Sequence, residues 1–314
     1  MDEHELRRRV NTAAWSGGDA VVRVKKSDCP ITITQPIYLK DVIIMGPNPH
    51  SVACFPGTNK ETFRILLRDK SPFVCTGSNT GLIGCTIIYP DQNDPNNIIP
   101  YPPTILSTTQ SSTSKTTVAH CTLVNPYHGI AIGRGRFDLH HIYMQALKVG
   151  ISVHQSMDVG FMRHIHIWPF WSPTTLDPMR HQTKGIIMFK ADWFDLDQIF
   201  CYGLYMGIQI AKNSYGTACG TIGSYQADAC FIALDISALD QGGIMIDSIR
   251  LASAGLHGSG KAMAIHSHHS VDLSNSGVLM IGMMHIHGPW INSTHHWPHN
   301  QTKLKIGQLY QNKG

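Results

Sequence analysis

Residues 129–167 read GIAIGRGRFDLHHIYMQALKVGISVHQSMDVGFMRHIHI and contain the same pattern twice. A short Gly-Ile strand begins at Gly129 and again at Gly150, 21 residues later, and a longer alternating strand follows each one, from Asp138 and from Phe161. Two strands in about 20 residues, separated by tight turns, are typical of one coil of a parallel β-helix.

The pattern continues along most of the chain. Gly-Ile strands recur at Gly185, Gly207 and Gly243, and the longer strands begin at Leu82, Val118, Asp195, Ala218, Ile244 and, more weakly, Thr302. A single coil cannot bury its own inward face, so consecutive coils must stack on one another. The sequence therefore predicts an all-β, right-handed parallel β-helix in which Ile, Val, Leu, Met and Cys point inward.

Two other all-β architectures predict different sequence features. A sandwich or jelly roll has hairpins with Asn-Gly or Asp-Gly turns, and the sequence contains neither dipeptide. A propeller has a period of about 40 residues or more, which is twice the observed spacing. The β-helix is therefore the preferred prediction.

Three regions follow from the limits of the repeat. Residues 1–20 are predicted to form an N-terminal cap around an amphipathic helix from Glu3 to Ala14. Residues 21–290 form the β-helix, with loop insertions at 89–117 and 168–184, and residues 291–314 form a C-terminal cap or tail. The two insertions leave the same end of equivalent strands, so they should form the walls of a shared groove. Long loops on a rigid scaffold often bind ligands.

Composition supports this fold and excludes several function classes. Only 15% of the 314 residues are charged and 42% are hydrophobic, whereas about 25% charged residues are usual. Coiled coils and helical bundles need more charge, and no apolar run is long enough to span a membrane. With a net charge of +4 and only two short basic runs, nucleic acid is not an expected partner.

The N-terminal residues and the cysteines bear on the compartment. The first ten residues, MDEHELRRRV, do not resemble a secretory signal peptide. Eight cysteines are scattered without CxxC spacing, which favours buried free thiols over disulfides or zinc ligands. We expect synthesis in the cytoplasm, and association with a virion is compatible with this.

The sequence resembles the right-handed parallel β-helix proteins of the pectate-lyase-like superfamily, nearest to its phage tailspike and polysaccharide-processing branches. The resemblance rests on the Gly-Ile strands and on segments at 20–24, 31–39, 42–46, 81–92 and 191–194, and it spans roughly residues 5 to 290. The Asn-Thr-Asp and Asp-Asp motifs of polygalacturonases do not occur, and the calcium-binding aspartates and arginine base of pectate lyases have no residue-by-residue match.

The resemblance implies a carbohydrate-related function. The first hypothesis is a polysaccharide-binding and polysaccharide-cleaving protein similar to glycoside hydrolases, such as a phage tailspike. The alternatives are a non-catalytic structural spike or surface protein and, on the same fold, a polysaccharide lyase or sugar epimerase.

Aromatic side chains in and near the insertions are the predicted substrate-binding residues, because flat rings pack against sugar rings. They are joined by Asp177, whose carboxylate could bond to hydroxyl groups. The predicted aromatic set is Tyr89, Tyr101, Tyr127, Trp168, Trp171 and Trp193. The competing interpretation is that these rings attach the loops to the coils.

Three aspartates at coil turns are the predicted acid–base residues: Asp158, Asp192 and Asp195. Equivalent positions on neighbouring coils lie about 5 to 10 Å apart, a range that covers the carboxylate separations of glycosidases. The groove between the two insertions would then be floored by the coils that hold Asp158 and Asp192. Alternatively, aspartates at turns cap backbone amides.

Nineteen histidines include the pairs His164/His166 and His285/His287 and a cluster at His266, His268 and His269. No spacing supplies a third zinc ligand, so we expect stacked imidazoles, no metal and no cofactor. These clusters would charge together below about pH 6.

The expected assembly is a homotrimer. Small and apolar residues at 251–260 and 277–284 could form a lateral interface, and low surface charge favours such an association.

Overall fold

The computed structural model describes residues 1–15, 20–47, 61–108, 114–169, 176–252, 263–267, 277–288 and 304–312. Within these ranges almost all regular structure is parallel β-sheet, and the chain forms a right-handed parallel β-helix with a short N-terminal helix. No helix among these residues is long and apolar enough to cross a membrane.

The first sheet runs along the whole solenoid. Its strands, in spatial order, are β1 (Ala20–Arg23), β4 (Val42–Met45), β7 (Asn79–Ile83), β10 (Lys115–Val124), β12 (Arg136–Gln145), β14 (Gly160–Ile167), β16 (Phe194–Tyr202), β18 (Gly220–Asp228), β20 (Ile244–Ala252), β22 (Leu279–His287) and β23 (Leu304–Asn312). Three short strands also belong to it, β2 (Ile31–Ile33), β5 (Phe63–Ile65) and β8 (Thr86–Ile88), and β8 pairs with β10.

The second sheet faces the first. It contains β3 (Ile37–Leu39), β6 (Phe73–Cys75), β9 (Ile105–Ser107), β11 (His128–Arg134), β13 (Val149–Ser156), β15 (Lys184–Ala191), β17 (Met206–Ile210), β19 (Ile232–Ile236) and β21 (Met263–Ser267). Each Gly-Ile repeat from 129 to 210 is a strand of this sheet, as the repeat predicted. Gly243 instead precedes β20 of the first sheet.

The core is built from columns of equivalent side chains. One column of the first sheet contains Cys121, Ile142, Ile165, Ile199, Tyr225 and Ile249, all paired in register and fully buried. Because every coil repeats the inward positions, the core is one continuous cluster. The predicted inward Ile, Val, Leu, Met and Cys positions are confirmed in these strands, and six of the seven described cysteines are buried free thiols.

Helix α1 (Glu3–Trp15) covers the first coils, one residue longer than the predicted helix. The Asp2 side chain caps it by accepting a hydrogen bond from the Glu5 N–H at 2.8 Å. Leu6 and Val10 are buried against the sheets, while the Glu3 carboxylate accepts hydrogen bonds from the N–H groups of Thr34 and Gln35.

The two insertions contain regular structure. The first holds β9 and the start of β10, and the second holds helix α2 (Leu176–Gln182). They leave the same end of the first sheet, as predicted, since the Tyr89 N–H donates to the Val124 carbonyl and the Trp168 N–H donates to the Met144 carbonyl. At the C-terminal end, β23 extends the first sheet by pairing in parallel with β22.

The glycine of each Gly-Ile strand lies where no side chain fits. A Cβ at Gly150 would lie 2.4 Å from the Gly185 carbonyl oxygen, and one at Gly207 would lie 1.9 Å from the Tyr225 hydroxyl. These positions face the next coil and the side chains of the opposite sheet. The Gly-Ile motif is therefore a packing requirement.

Substitution of Gly207 by Ala should lower the free energy of unfolding by about 1–3 kcal/mol, because the new methyl group overpacks the core. The Tyr225 hydroxyl, which donates to the Ala233 carbonyl at 2.6 Å, is the atom nearest to the new methyl group, followed by the Ala233 carbonyl oxygen at 2.7 Å. Gly207→Ala should therefore cost less in the Tyr225→Phe background. Urea unfolding of the two single variants and the double variant measures this coupling, and simple additivity would contradict it.

Candidate functional site

The three predicted acid–base aspartates lie at one corner of the solenoid. Asp158 lies in the turn from β13 to β14, Asp192 lies in the turn from β15 to β16, and Asp195 is in β16. Ser156 pairs with Ala191 and Phe161 pairs with Asp195, so the first two occupy equivalent turns of neighbouring coils. The structure therefore places Asp158 and Asp192 at turns from the second sheet to the first, and Asp195 near the start of the first-sheet strand that follows.

Each of these carboxylates is engaged in its own ion pair. Asp158 accepts from Arg136 Nε at 2.6 Å, Asp192 lies 2.6 Å from Lys190 Nζ, and Asp195 lies 3.3 Å from an Arg163 guanidinium nitrogen. The Val159 N–H and then the Arg136 guanidinium hold the pKa of Asp158 below its ordinary value. A general acid needs a raised pKa, so Asp158 is suited to remain ionised.

The predicted aromatic residues are divided between the interior and the surface. Tyr89 and Tyr101 are only 1% and 2% exposed, and their rings meet edge to face at 4.7 Å. Tyr89 also shares a 2.8 Å hydrogen bond with the Thr104 hydroxyl. These two rings therefore attach the first insertion to the coils, and their faces are not available to a ligand.

The remaining predicted binding residues do not form one group. Tyr127 and Trp168 are half-buried, and Trp168 stacks on His166 at 4.5 Å. Trp193 is 67% exposed and lies in the same turn as Asp192. Trp171 lies outside the described residues, and Asp177 lies in α2 with its side chain outside the description.

Among the described residues, the aspartates do not lie beside the starts of the two insertions, as the predicted groove required. The insertions begin after β8 and β14 at the turns from the first sheet to the second, whereas Asp158 and Asp192 follow β13 and β15 at the opposite turns. The starts of the insertions and the aspartates therefore lie at different corners. The sequence repeat shows which turns are equivalent from coil to coil, but it does not show which corner of the coil each turn occupies.

The outer face of the second sheet carries a row of side chains that the sequence-based prediction missed. The row is in register across the coils and consists of Ala131, Ser152, Ile187, Gln209, Asp235 and His266. Its members alternate with core residues of the same strands, and Ala131 lines a surface pocket. Ala131, Ser152, Ile187 and Gln209 occupy the position after the Gly-Ile pair of their strands, so a comparison of that position between repeats could have found these four, whereas Asp235 and His266 lie in strands without the motif.

At the end of this row nearer the N-terminus lies a pocket with a volume of about 710 Å³. Its polar lining includes His128, Arg134, His154 and Gln155, and its rim includes Pro103 and Tyr215. The Tyr215 side chain is 57% exposed. The Asn213 side-chain amide donates to the His154 carbonyl at 2.7 Å and so holds the loop that carries Tyr215 against the sheet.

Two of the imidazoles that line this pocket flank the buried Ser152 hydroxyl. The Ser152 Oγ lies 3.0 Å from Nε2 of His128 and 3.0 Å from Nε2 of His154. Burial, reinforced by His154, lowers the pKa of His128 to about 4, and burial also lowers the pKa of His154. Both rings are therefore neutral at pH 7, and each offers one donor and one acceptor nitrogen.

A hydrogen-bonded chain continues along the same row. Lys184 Nζ donates to Gln209 at 2.9 Å, and the Gln209 amide donates to the Asp235 carboxylate at 2.8 Å. Asp235 is fully buried and also accepts from the Ser237 hydroxyl and from His266 Nδ1. These hydrogen bonds offset the free-energy cost of burying the Asp235 carboxylate. The carboxylate in turn fixes the orientation of the His266 ring.

Comparison of the chain with protein-family models, with curated proteins and with solved structures finds no match. The function of the chain is therefore inferred from the geometry of these surfaces.

Histidine burial also changes the expected response to acid. Burial lowers the pKa of His166 to about 4, so this ring stays neutral at pH 5, where the sequence pattern predicted a charged cluster.

Because His128 binds a proton less readily in the folded chain than in the unfolded chain, its contribution to stability is complete above about pH 6.5 and is lost as the pH falls towards 4. The loss is at most about 3 kcal/mol. His128→Asn should therefore lose less stability than the wild type between pH 7 and pH 4.5, measured by urea unfolding. His4→Gln, in an exposed part of α1, is the control, and an equal acid loss in His128→Asn would contradict the assignment.

Proposed function

We propose that this chain binds a polysaccharide on the outer face of the second sheet and cleaves it, in the manner of a phage tailspike or a related carbohydrate-active protein. The observation that carries the proposal is the pocket of about 710 Å³ lined by His128, His154, Gln155 and Arg134 beside the exposed Tyr215. The observations that support it are the chemistry of this lining and the repeat of the row.

The lining of the pocket suits sugar hydroxyls. Neutral imidazoles and the Gln155 amide both donate and accept hydrogen bonds, as hydroxyl groups do. The Tyr215 ring offers an apolar face with a polar edge to a sugar ring. The strands of this sheet repeat about every 4.8 Å, so a linear polymer lying along the solenoid axis would pass from coil to coil beside the pocket.

Two sets of residues are candidates for acid–base chemistry. His266, oriented by the buried Asp235, lies on the same row as the pocket and is arranged for proton transfer. The second set is Asp158, Asp192 and Asp195, which lie at the corner beside Trp193 with their carboxylates ion-paired to basic side chains. The first set is preferred, because it shares a face with the pocket.

The test is a panel of polysaccharides assayed for binding and for cleavage. Tyr215→Ala and His154→Ala should each weaken binding about tenfold, a loss of about 1.4 kcal/mol, whereas Trp193→Ala should leave it unchanged. Trp193 is the matched control because it is an exposed aromatic residue at a different corner.

Release of reducing ends identifies a hydrolase, and ultraviolet absorbance of an unsaturated product identifies a lyase. His266→Gln should abolish turnover while binding is kept. Loss of turnover in Asp158→Asn, Asp192→Asn or Asp195→Asn, or loss of binding only in Trp193→Ala, would move the site to the aspartate corner. Absence of both binding and cleavage across the panel would overturn the proposal.

One observation favours the alternative of a structural, trimeric spike. Large apolar side chains are exposed on the outer face of the last described coils of the first sheet: Met245, Met280, Met283, Leu309 and Tyr310. Met245 and Met280 are paired in register, so they form a contiguous patch. Exposed apolar patches often mark protein–protein contacts, and this one overlaps the 277–284 segment proposed as a trimer interface.

If this patch is the interface, Met280→Glu should convert a trimer to monomers, because the interface would have to bury an unpaired charge. Molar mass from light scattering measures the change, and Tyr38→Glu, on an exposed position of the second sheet, is the control. A wild-type chain that is already monomeric would remove the support for a trimeric spike.

A further inference from the structure

The long strands β10, β12, β14 and β16 of the first sheet each turn a corner at one residue with a left-handed backbone. Gly84 lies between β7 and β8 with a φ of 67°, and on the next four strands the corner residues have φ angles of 52–53°. These four are His120, His141, His164 and Gln198. Histidine is one of the few residues other than glycine that are enriched in this left-handed conformation.

The corner histidines form a stack across three coils. The rings of His120 and His141 are 4.6 Å apart with an interplanar angle of 16°, and those of His141 and His164 are 4.3 Å apart at 15°. Corner geometry accounts for these three histidines. It does not account for a fourth imidazole beside the stack.

His140 is that fourth imidazole. It lies one residue before the corner in β12 and meets the rings of His120 and His141 edge-on, at 5.3 Å and 5.4 Å. Its Nδ1 lies 3.2 Å from Nδ1 of His141. One ring nitrogen from each of His120, His140 and His141 lies within 4.8 Å of the other two.

These separations are close to those of ligands on one ion. Zinc binds imidazole nitrogen at about 2.0–2.1 Å with tetrahedral angles, which places two ligand nitrogens about 3.3 Å apart. The pair from His140 and His141 already has this separation. A shift of the His120 nitrogen by roughly 1.5 Å, within reach of a small side-chain rotation, would complete three ligands.

The charge state of the rings also permits ligation. Burial is the main cause that lowers the pKa of both His140 and His141, and neighbouring imidazoles lower both values further, while Asp138 opposes the shift at His140. The nearest fixed charges, Asp138 and Lys115, are paired with each other at 2.9 Å. His140 and His141 are therefore neutral at pH 7, as metal ligands must be.

We propose that His120, His140 and His141 bind one divalent transition-metal ion, with Zn²⁺ the ion that fits best. Imidazole ligands suit Zn²⁺, Ni²⁺ and Cu²⁺ and not Ca²⁺ or Mg²⁺, which need oxygen. All three rings are half-buried, so water can fill the fourth position. In the metal-free chain, one of the two Nδ1 atoms of His140 and His141 carries a proton and donates a hydrogen bond to the other. When the ion binds, that proton moves to Nε2 of the same ring.

This site departs from the sequence-based expectation of stacked imidazoles without metal. No spacing along the chain indicated it, because His120 comes from β10 and the other two ligands from β12. The ion would join these neighbouring coils and raise the melting temperature of the chain.

The test uses the full chain stripped with a chelator and titrated with Zn²⁺ by calorimetry. One tight site is expected, and His140→Ala and His141→Asn should each weaken it by at least about a hundredfold, since loss of an outer-shell partner alone costs about 10- to 100-fold. Asn is chosen at position 141 because it tolerates the left-handed corner. His164→Asn is the matched control, a corner residue of the same stack outside the triad, and should leave the tight site unchanged.

Co²⁺ supplies a measurement that needs no variant. The wild-type chain with one equivalent of Co²⁺ should show the intense visible absorption of a four-coordinate site, in contrast to the weak absorption of the hydrated ion. Absence of a tight site in the wild type, or its retention in His140→Ala and His141→Asn, would overturn the proposal and leave the imidazoles as a metal-free stack.

Discussion

The fold depends on one constraint, which is that the inward face of each coil is covered only by the neighbouring coils and the opposite sheet. Parallel pairing in register places like residues on like residues, so columns such as Cys121, Ile142 and Ile165 become continuous. The same register places the outward residues in rows. Both the core and the candidate sites therefore arise from the stacking of equivalent residues. Charged surface positions are few because each coil covers much of its neighbours.

Two kinds of residue recur at fixed positions along the coils, a glycine in the second sheet and a left-handed corner residue in the first. Close packing between the sheets explains the glycine. A glycine near the start of β11, β13, β15 and β17 leaves room for the side chains of the first sheet, as Gly207 does for Tyr225. A left-handed residue turns each of the long strands β10, β12, β14 and β16 of the first sheet. Glycine or histidine fills four of the five described left-handed corners, and the histidines bring imidazoles together where no local motif would.

The sequence was sufficient to predict the architecture, because the repeat reports hydrophobic alternation directly. It was less informative about register. The starts at Leu82 and Val118 are true partners, whereas Val118 pairs with Leu139 and not with Asp138, and a shift of one residue exchanges the inward and outward faces. Exposure was equally hard to predict, since Tyr89 and Tyr101 belong to a loop by sequence and to the core by packing. The repeat indicates the outward positions from Ala131 to Gln209, but their alignment with Asp235 and His266 depends on register and emerged only from the structure.

The separation of the insertions from the aspartate turns has a consequence for how such a chain can change. The insertions leave one corner, the ion-paired carboxylates occupy the opposite turns, and the pocket lies mainly on the sheet face between them. Lengthening a loop at the first corner leaves the hydrogen bonds and ion pairs of the other turns in place. The solenoid is thus a rigid scaffold whose corners can be altered independently. Residues for recognition and residues for chemistry can then change one group at a time.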